Sequence, residues 1–315
     1  MQQEPYDVLA FYLFTDIEDP HAEVAKHKVF FANRDITSRI YISYQGINAQ
    51  MSGLRKDTEA YIAWMRQDER FRDIDFKIHT HHEQAFPRAT VKFRKQLVAL
   101  DHDASPYQGG VHVKPAEWKR MLEEKTSNTI LLDVRNDYEW KIGHFEGAIK
   151  PRLDMFRLFP QYVQELKEEY DPATTRVMMY CTGGIRCELY SALMKEEGFQ
   201  HVYQLEGGVI RYGLEEGDQQ WQGKLFVFDD RLAVPLAEET MPISTCHSCD
   251  AHSDTYYNCA NMDCNALFLS CPTCAETLGG CCSKRCQEAP RIRAWKELQG
   301  KRPKPFRRKH LCAND

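Results

Sequence analysis

RVMMYCTGGIRCELYSALMKEE, running from Arg176 to Glu197, decides the central fold of this chain. RVMMY is an apolar run of strand length, and Glu188 to Glu197 has helical character. Between them lie Cys181, Thr182, Gly183, Gly184, Ile185, Arg186 and Cys187. In open α/β sheets, ligand crevices form at the carboxyl ends of parallel strands. The strand therefore delivers Cys181 to such a crevice. The two glycines let backbone N–H groups turn inward, and the following helix aims its N-terminus at the same spot. Aligned N–H dipoles favour an anion and depress a thiol toward the thiolate. Arg186 adds a positive charge. The expectation is a nucleophilic Cys181, cradled by donors and partly open to solvent. The plain alternative is a buried structural cysteine; the glycine pair, the arginine and the helix start favour the nucleophile. For Cys187 two readings stand equally: a group that resolves an oxidised or persulfidated Cys181, or packing on the first helical turn. A phosphatase cradle sets five residues between its cysteine and arginine. Here only Thr182 to Ile185 intervene, which disfavours phosphoryl transfer.

Outward from this loop, strands alternate with helices. KPAEWKRMLEE, with Pro115 near its first turn, is a helix. NTILLDVR is a buried strand ending at Asp133 and Arg135, FRLFPQYVQELKEEY is an amphipathic helix, and HVYQLEGG is a further strand and turn. The alternation predicts a parallel sheet with helices on both faces over residues 104–223.

Residues 1–103 read as a separate α+β unit. YDVLAFYLF (Tyr6 to Phe14) is a strand. Pro20 to Arg34 is helical, with Val24, Val29 and Phe30 as a partial apolar stripe. Arg39 to Gly53 gives two strands broken at Gln45-Gly46. Thr58 to Arg70 is a second helix with Tyr61, Ile62, Met65 and an inward Trp64, and IDFKIHT and ATVKFRKQLVAL are strands. The order β-α-β-β-α-β is that of a ferredoxin-like domain. His79, His81 and His82 invite a metal reading, but without a second ligand cluster they read better as solvated histidines. DHDASPYQGG (Asp101 to Gly110) links this unit to the next.

Residues 224–315 are cysteine-rich and loop-rich. Ten of the twelve cysteines lie beyond residue 245. They form the pairs Cys246/Cys249, Cys259/Cys264, Cys271/Cys274 and Cys282/Cys286, with Cys281 abutting the last. Ligands two to four residues apart suit tetrahedral zinc, so eight thiolates predict two structural ions. Pairs one and three would share one ion and pairs two and four the other; sequential pairing is the alternative, and Cys281 could replace Cys282. His247 and His252 are substitutes. With no export signal at MQQEPYDVLAFYLF, metal ligation is favoured over disulfides, and a cytoplasmic protein is expected. The module has few apolar residues and is expected to need its metal to fold.

The net charge of -5 conceals an asymmetry. Arg291 to His310 carries nine Lys or Arg and one acid, which suits a polyanionic partner. Arg302, Arg307 and Arg308 are the candidate phosphate contacts, against the plain reading of a solvated tail. No apolar run reaches about 18 residues, so a membrane partner is not expected. No haem, flavin or nicotinamide signature occurs.

LLDVRNDYEWKIGHFEGAIK (Leu131 to Lys150) and LEGGVIRYG (Leu205 to Gly213) resemble the rhodanese signature and the strand and turn that close its domain. That resemblance implies structural or gating roles for Asp133 and Arg135 near the loop, with Gly143 and His144 in a turn. Asp133 as a helix cap and Arg135 in a surface ion pair are the alternatives. GINAQMSG in the first unit, YCTGGIRCE in the second and the cysteine-rich third together resemble the tRNA uridine hydroxylase family, TrhO, across nearly the whole chain. The resemblance implies conversion of a wobble uridine of tRNA to 5-hydroxyuridine with molecular oxygen, dependent on Cys181. Two chemistries would serve: an oxidised sulfur on Cys181, or thiolate addition at uracil C6. A sulfurtransferase carrying a persulfide on Cys181, and a non-catalytic RNA- or protein-binding rhodanese protein, are the competing functions.

Overall fold

The computed structural model describes residues 5–100, 102–151, 153 and 158–294. Arg302, Arg307 and Arg308 lie outside the described residues.

The chain begins with β1 (Tyr6–Phe14), α1 (Pro20–Phe31), β2 (Ile36–Ser43), β3 (Gly46–Leu54), α2 (Arg55–Met65), β4 (Lys77–His81) and β5 (Val91–Phe93). The sheet order is β4-β1-β3-β2-β5. Each neighbouring pair among the first four strands is antiparallel, which is the ferredoxin-like arrangement, and β5 is added in parallel beside β2. Strand alternation sorts the residues by face. Leu9, Phe11, Ile40, Ile42, Ala49 and Met51 are buried with residues of α1 and α2 in one core. α1 starts where Asp19 accepts hydrogen bonds from the backbone N–H groups of His21 and Ala22, with Pro20 at its first position. Its expected stripe holds at Val24 but fails at Val29, which is 76% exposed. Val24 and Phe31 supply the buried face instead, with Phe30 half-buried against it. Trp64 is likewise only half-buried, behind Tyr61 and Met65. α2 begins three residues earlier than expected, at Arg55, which is held by Asp7 across the sheet (3.2 Å).

There follow β6 (Val111–Val113), α3 (Pro115–Glu123), β7 (Thr129–Asp133), α4 (Asp137–Ile142), β8 (Gly143–Phe145), α5 (Phe159–Glu169), β9 (Arg176–Tyr180), α6 (Ile185–Glu196), β10 (His201–Leu205) and α7 (Gly208–Glu216). The central sheet has the order β6-β10-β9-β7 and is parallel throughout, as the alternation predicts. Its middle strand β9 buries Val177, Met178, Met179 and Tyr180 completely, so the apolar run reads as a strand covered on both faces. Four elements escape the sequence reading. β6 and β8 are only three residues long, β8 standing where the resemblance puts Gly143 and His144 in a turn; α4 precedes it, and the segment after Leu205 is the helix α7 rather than a closing turn.

Two compact units divide the chain: residues 1–136 with 145–220, and residues 137–144 with 221–315. The second contains β11 (Trp221–Gly223), β12 (Leu225–Phe226), β13 (Ala233–Val234), β14 (Tyr256–Asn258), β15 (Leu267–Leu269), α8 (Pro272–Thr277) and α9 (Lys284–Gln287). Its apolar clusters are small. One gathers Ile142, Phe226, Leu232, Tyr256 and Leu269; the other is built partly of cysteines. No described helix is long and apolar enough to cross a membrane.

Candidate active site and metal centres

Cys181 follows directly on β9, at the carboxyl end of the parallel sheet. Gly184, the residue before α6, donates its N–H to Cys181 Sγ at 3.1 Å. It does so from φ +104°, a conformation that favours glycine. The backbone N–H groups of Arg186 and Cys187 also reach the sulfur. The far side of the loop is pinned by α7, whose Val209 and Ile210 donate to the carbonyls of Cys181 and Thr182 at 3.0 Å. Gly208 makes that approach feasible: a Cβ there would lie 2.6 Å from the Cys181 carbonyl oxygen and 2.7 Å from the Gly184 nitrogen.

Cys181 is fully buried, not partly open as expected. Thr182 is buried too, while Gly183, Ile185 and Arg186 retain some exposure. Burial by itself would push the Cys181 thiol up. A hydrogen bond from Cys187, the Arg186 guanidinium and the backbone donors reverse this and bring it down to about 6. Cys187, also fully buried, moves the opposite way. Burial and the adjacent Cys181 sulfur raise it well above the ordinary value. The pair thus divides into a thiolate at Cys181 and a thiol donor at Cys187, a division that neither reading of Cys187 had contained. Arg186 is itself oriented by the Thr182 hydroxyl at 3.3 Å.

Further side chains reach the loop from elements that sequence spacing does not connect. Glu188, in the first turn of α6, accepts hydrogen bonds from Tyr12 Oη (2.6 Å), His112 Nε2 (3.0 Å) and Gln204 Nε2 (3.0 Å). Burial raises the Glu188 carboxyl, but these donors outweigh it and hold the group below the usual range. Tyr12 comes from β1 of the first sheet. Burial and the Glu188 carboxylate raise its phenol far above the ordinary value, so it remains a donor. Its hydroxyl also lies against Gly184, 2.7 Å from where a Cβ would sit. Lys77 of β4 is buried with its ammonium 5.3 Å from the Tyr12 ring centroid and 3.4 Å from Asp75. Asp75 pairs in turn with Arg211 of α7 at 2.5 Å. Glu188 was visible in the motif around Cys181. Tyr12, Lys77, His112 and Gln204 carried no local signal.

Asp133 and Arg135 form a fully buried ion pair beneath the strand ends, neither a helix cap nor a surface bridge. Arg135 donates from Nε and a terminal nitrogen to the two carboxylate oxygens at 2.8 and 2.6 Å. The Tyr180 hydroxyl donates to the same carboxylate at 2.7 Å. With Tyr180 immediately before Cys181, the pair underpins the loop from below.

The second unit brings its cysteines together as two sets: Cys246, Cys249, Cys271 and Cys274, and Cys259, Cys264, Cys282 and Cys286. The first pair joins the third and the second joins the fourth; Cys281, His247 and His252 stand outside both sets. Cys249 and Cys271 sulfurs are 3.7 Å apart, Cys264 and Cys282 3.8 Å, and Cys282 and Cys286 3.7 Å. A tetrahedron of Zn–S bonds of about 2.3 Å has S···S edges of about 3.8 Å, whereas a disulfide is about 2.05 Å. Both sets therefore have the donor chemistry and spacing for a metal ion. His81, His82 and Glu83 also approach one another, but they are consecutive residues near the end of β4, two of them exposed.

A cysteine cradled at the carboxyl end of a four-stranded parallel sheet defines the central fold as rhodanese-like. A family model described as a rhodanese-like domain matches residues 114–213; a UPF0176 acylphosphatase-like domain matches residues 6–97, and a rhodanese C-terminal region matches residues 222–287. The rhodanese-like domain of an Anabaena protein covers 36% of this chain and 78% of its own, at 20% identity and a TM-score of 0.30. Over its full length the chain is 57% identical to the tRNA uridine(34) hydroxylase of Protochlamydia amoebophila, covering 98% of that protein. It is 54% identical to the protein of the same name from Chlamydia trachomatis, over 98% of this chain and 94% of the relative. The chain belongs to the tRNA uridine(34) hydroxylase family.

Proposed function

We propose that this protein hydroxylates C5 of uridine 34 in tRNA, with the Cys181 thiolate as the working nucleophile. The observation that carries the reading is the depressed thiol of Cys181, held by three backbone donors inside a chain related along its whole length to enzymes of that name. A thiolate at neutral pH is what addition to uracil C6 requires. Addition forms the S–C6 bond and moves the C5=C6 electron pair toward C5, where the enolate attacks oxygen. Loss of the C5 proton and expulsion of the thiolate restore the double bond. With molecular oxygen as oxidant, one oxygen atom enters C5 and the other leaves as water. That second half takes two electrons and two protons from an external reductant of the dithiol class.

In this reading Cys187 keeps Cys181 ionised by donating to it, and Arg186 supplies the compensating charge. Asp133 and Arg135 hold the floor of the loop. Zinc in the two four-cysteine sets is structural and supplies folding free energy. A tRNA substrate places the protein in the cytoplasm.

The test is nucleoside analysis of tRNA from cells lacking the gene, complemented with wild type or Cys181→Ala. Restoration of 5-hydroxyuridine derivatives by wild type alone is expected. Unchanged wobble uridines in the deletion would defeat the proposal, and altered thiolation would direct it to sulfur transfer.

A further inference from the structure

The first sheet has one face covered by α1 and α2. Strand register determines what stands on the other. Lys77, Ala10, Gln50 and Arg39 lie opposite one another across β4, β1, β3 and β2. The next row is Tyr12, Asn48, Tyr41 and Lys92, across β1, β3, β2 and β5. Arg94, just beyond β5, lays its guanidinium over the Tyr41 ring at 4.8 Å. No Asp or Glu of these five strands stands on this face: Asp7, the one carboxylate among them, points the other way to Arg55 and Thr58 of α2. Arg39, Lys92 and Arg94 have no carboxylate partner among the described residues. Unlike Lys119 and Arg120 of α3 and Lys167 of α5, they hold charge that no described carboxylate neutralises.

We infer that the part of this face on β3, β2 and β5, beyond the stretch where α6 meets Tyr12, is the seat for the single-stranded anticodon segment of the RNA, with Tyr41 as a stacking platform and Arg39, Lys92 and Arg94 as phosphate partners. The inference rests on the proposed tRNA reaction and says where its substrate lies. Three observations on the molecule carry it. The first is composition. A sheet face bearing an aromatic ring, a stacked guanidinium and unpaired cations offers what unstacked bases and their phosphates bind. The second is continuity. The Tyr12–Lys92 row ends on Tyr12, whose hydroxyl touches Gly184, the donor to the Cys181 sulfur. Four strands at about 4.8 Å spacing make a row of about 14 Å, so the cations on β5 and the loop that holds Cys181 lie at the two ends of one row. The third is the edge. A surface hollow between α1 and β5 is lined by Lys28, Arg88 and Lys92 and by no carboxylate, extending the same charge around the rim. At the opposite end Ala85 and Phe86 pack on Val8 and close the face, which leaves the β3, β2 and β5 stretch of the Ala10 and Tyr12 rows, with Arg39, Tyr41 and Lys92, as the seat.

The probe is a fluorescein-labelled anticodon stem-loop RNA carrying U34, titrated against the full-length protein across a salt series. Tyr41→Ala is expected to weaken binding about tenfold, and Tyr41→Phe to restore it, because stacking needs the ring and not the hydroxyl. Arg39→Ala with Arg94→Ala should flatten the slope of log K against log salt by about 1.4, for two lost contacts to single-stranded phosphates. Arg120→Ala, on α3, should leave both unchanged. Affinity and slope that match wild type in Tyr41→Ala and the arginine pair would overturn the inference, as would equal loss in Arg120→Ala. If Tyr41→Ala fails to fold, the arginine pair still decides. Formation of 5-hydroxyuridine by the wild type is read separately. A wild type that binds through this face but forms no product sinks the proposed reaction and leaves the seat standing.

Discussion

The hydroxyl of Tyr12 donates to the carboxylate of Glu188 at 2.6 Å, across 176 residues of chain. One end of this bond is a strand of the antiparallel sheet; the other is the first turn of the helix that caps the Cys181 loop. The site is thus assembled from both sheets. Tyr12→Phe removes the donor and leaves a partly buried carboxylate with His112 and Gln204 alone. A hydrogen bond to a charged group contributes about 1.5–3 kcal/mol, so the urea midpoint should fall accordingly. An unchanged midpoint would show the contact to be incidental.

The Cys181 thiol should titrate near 6. At pH 7 about 90% of it would then be thiolate, against about 3% for a free cysteine with a pKa of about 8.5. The sign follows from linkage: a depressed folded value contributes stability above the unfolded value and loses it as pH falls through about 6. Site-resolved alkylation followed by mass spectrometry should give a midpoint near 6 at Cys181, moving upward in Arg186→Gln. A wild-type midpoint near 8.5 would refute the cradle argument.

His112 and Glu188 make a pH-bounded pair. The hydrogen bond to Glu188, more than burial opposes it, raises His112. Its contribution is complete below the unfolded value of about 6.5 and is lost as pH rises through the folded one. Glu188 is depressed, so its contribution is present above about 4.3 and is lost as pH falls through the folded value. Thermal melts should therefore show a benefit of the pair greatest between those limits. His112→Ala should lose most there, and an equal loss at pH 9 would contradict the assignment.

Metal counting separates neighbouring cysteines. Cys282 belongs to a four-sulfur set and Cys281 does not. Elemental analysis should find two zinc ions per chain in the wild type and in Cys281→Ser, and one in Cys282→Ser. Loss of an ion in Cys281→Ser alone would reverse the ligand choice.

Gly208→Ala tests the packing behind the loop. The added carbon would meet three backbone atoms at 2.6–2.7 Å, and the residue sits at φ +64°. Neither clash nor backbone conformation relaxes by rotating a side chain, so a loss of more than about 1 kcal/mol is expected, with Cys181 reactivity falling alongside. Wild-type reactivity in a folded Gly208→Ala would rule out α7 as the support of the loop.

Much of this protein is written in local pattern. The apolar run before Cys181, the glycine pair after it and the helix beyond specify a strand, a turn and a helix start. Each depends on residues within a few positions of one another. The paired cysteines likewise marked out the eight sulfurs that gather into two sets, since a chelating pair must be close in sequence. What local pattern missed was decided by pairing between distant segments. Val29 looks apolar on its helix, yet α1 is rotated so that Phe31 is buried instead. α7 hides in a stretch whose two glycines read as a turn, because its support comes from packing against α3 and the loop. Tyr12, His112 and Gln204 are ordinary residues until two sheets carry them to Glu188, as is Lys77 until β4 carries it to the Tyr12 ring.

By itself the sequence determined that this chain would present a cysteine at the head of a parallel sheet, beside a ferredoxin-like unit and four pairs of cysteines at metal-chelating spacing. Only the tertiary structure decided that the cysteine is buried, ionised by its neighbour Cys187 and braced from the other sheet. It alone chose Cys282 over Cys281. The reason is physical: hydrophobic periodicity and chelate spacing act over a few residues, whereas the charge on a buried sulfur depends on donors and dipoles that only folding brings within reach.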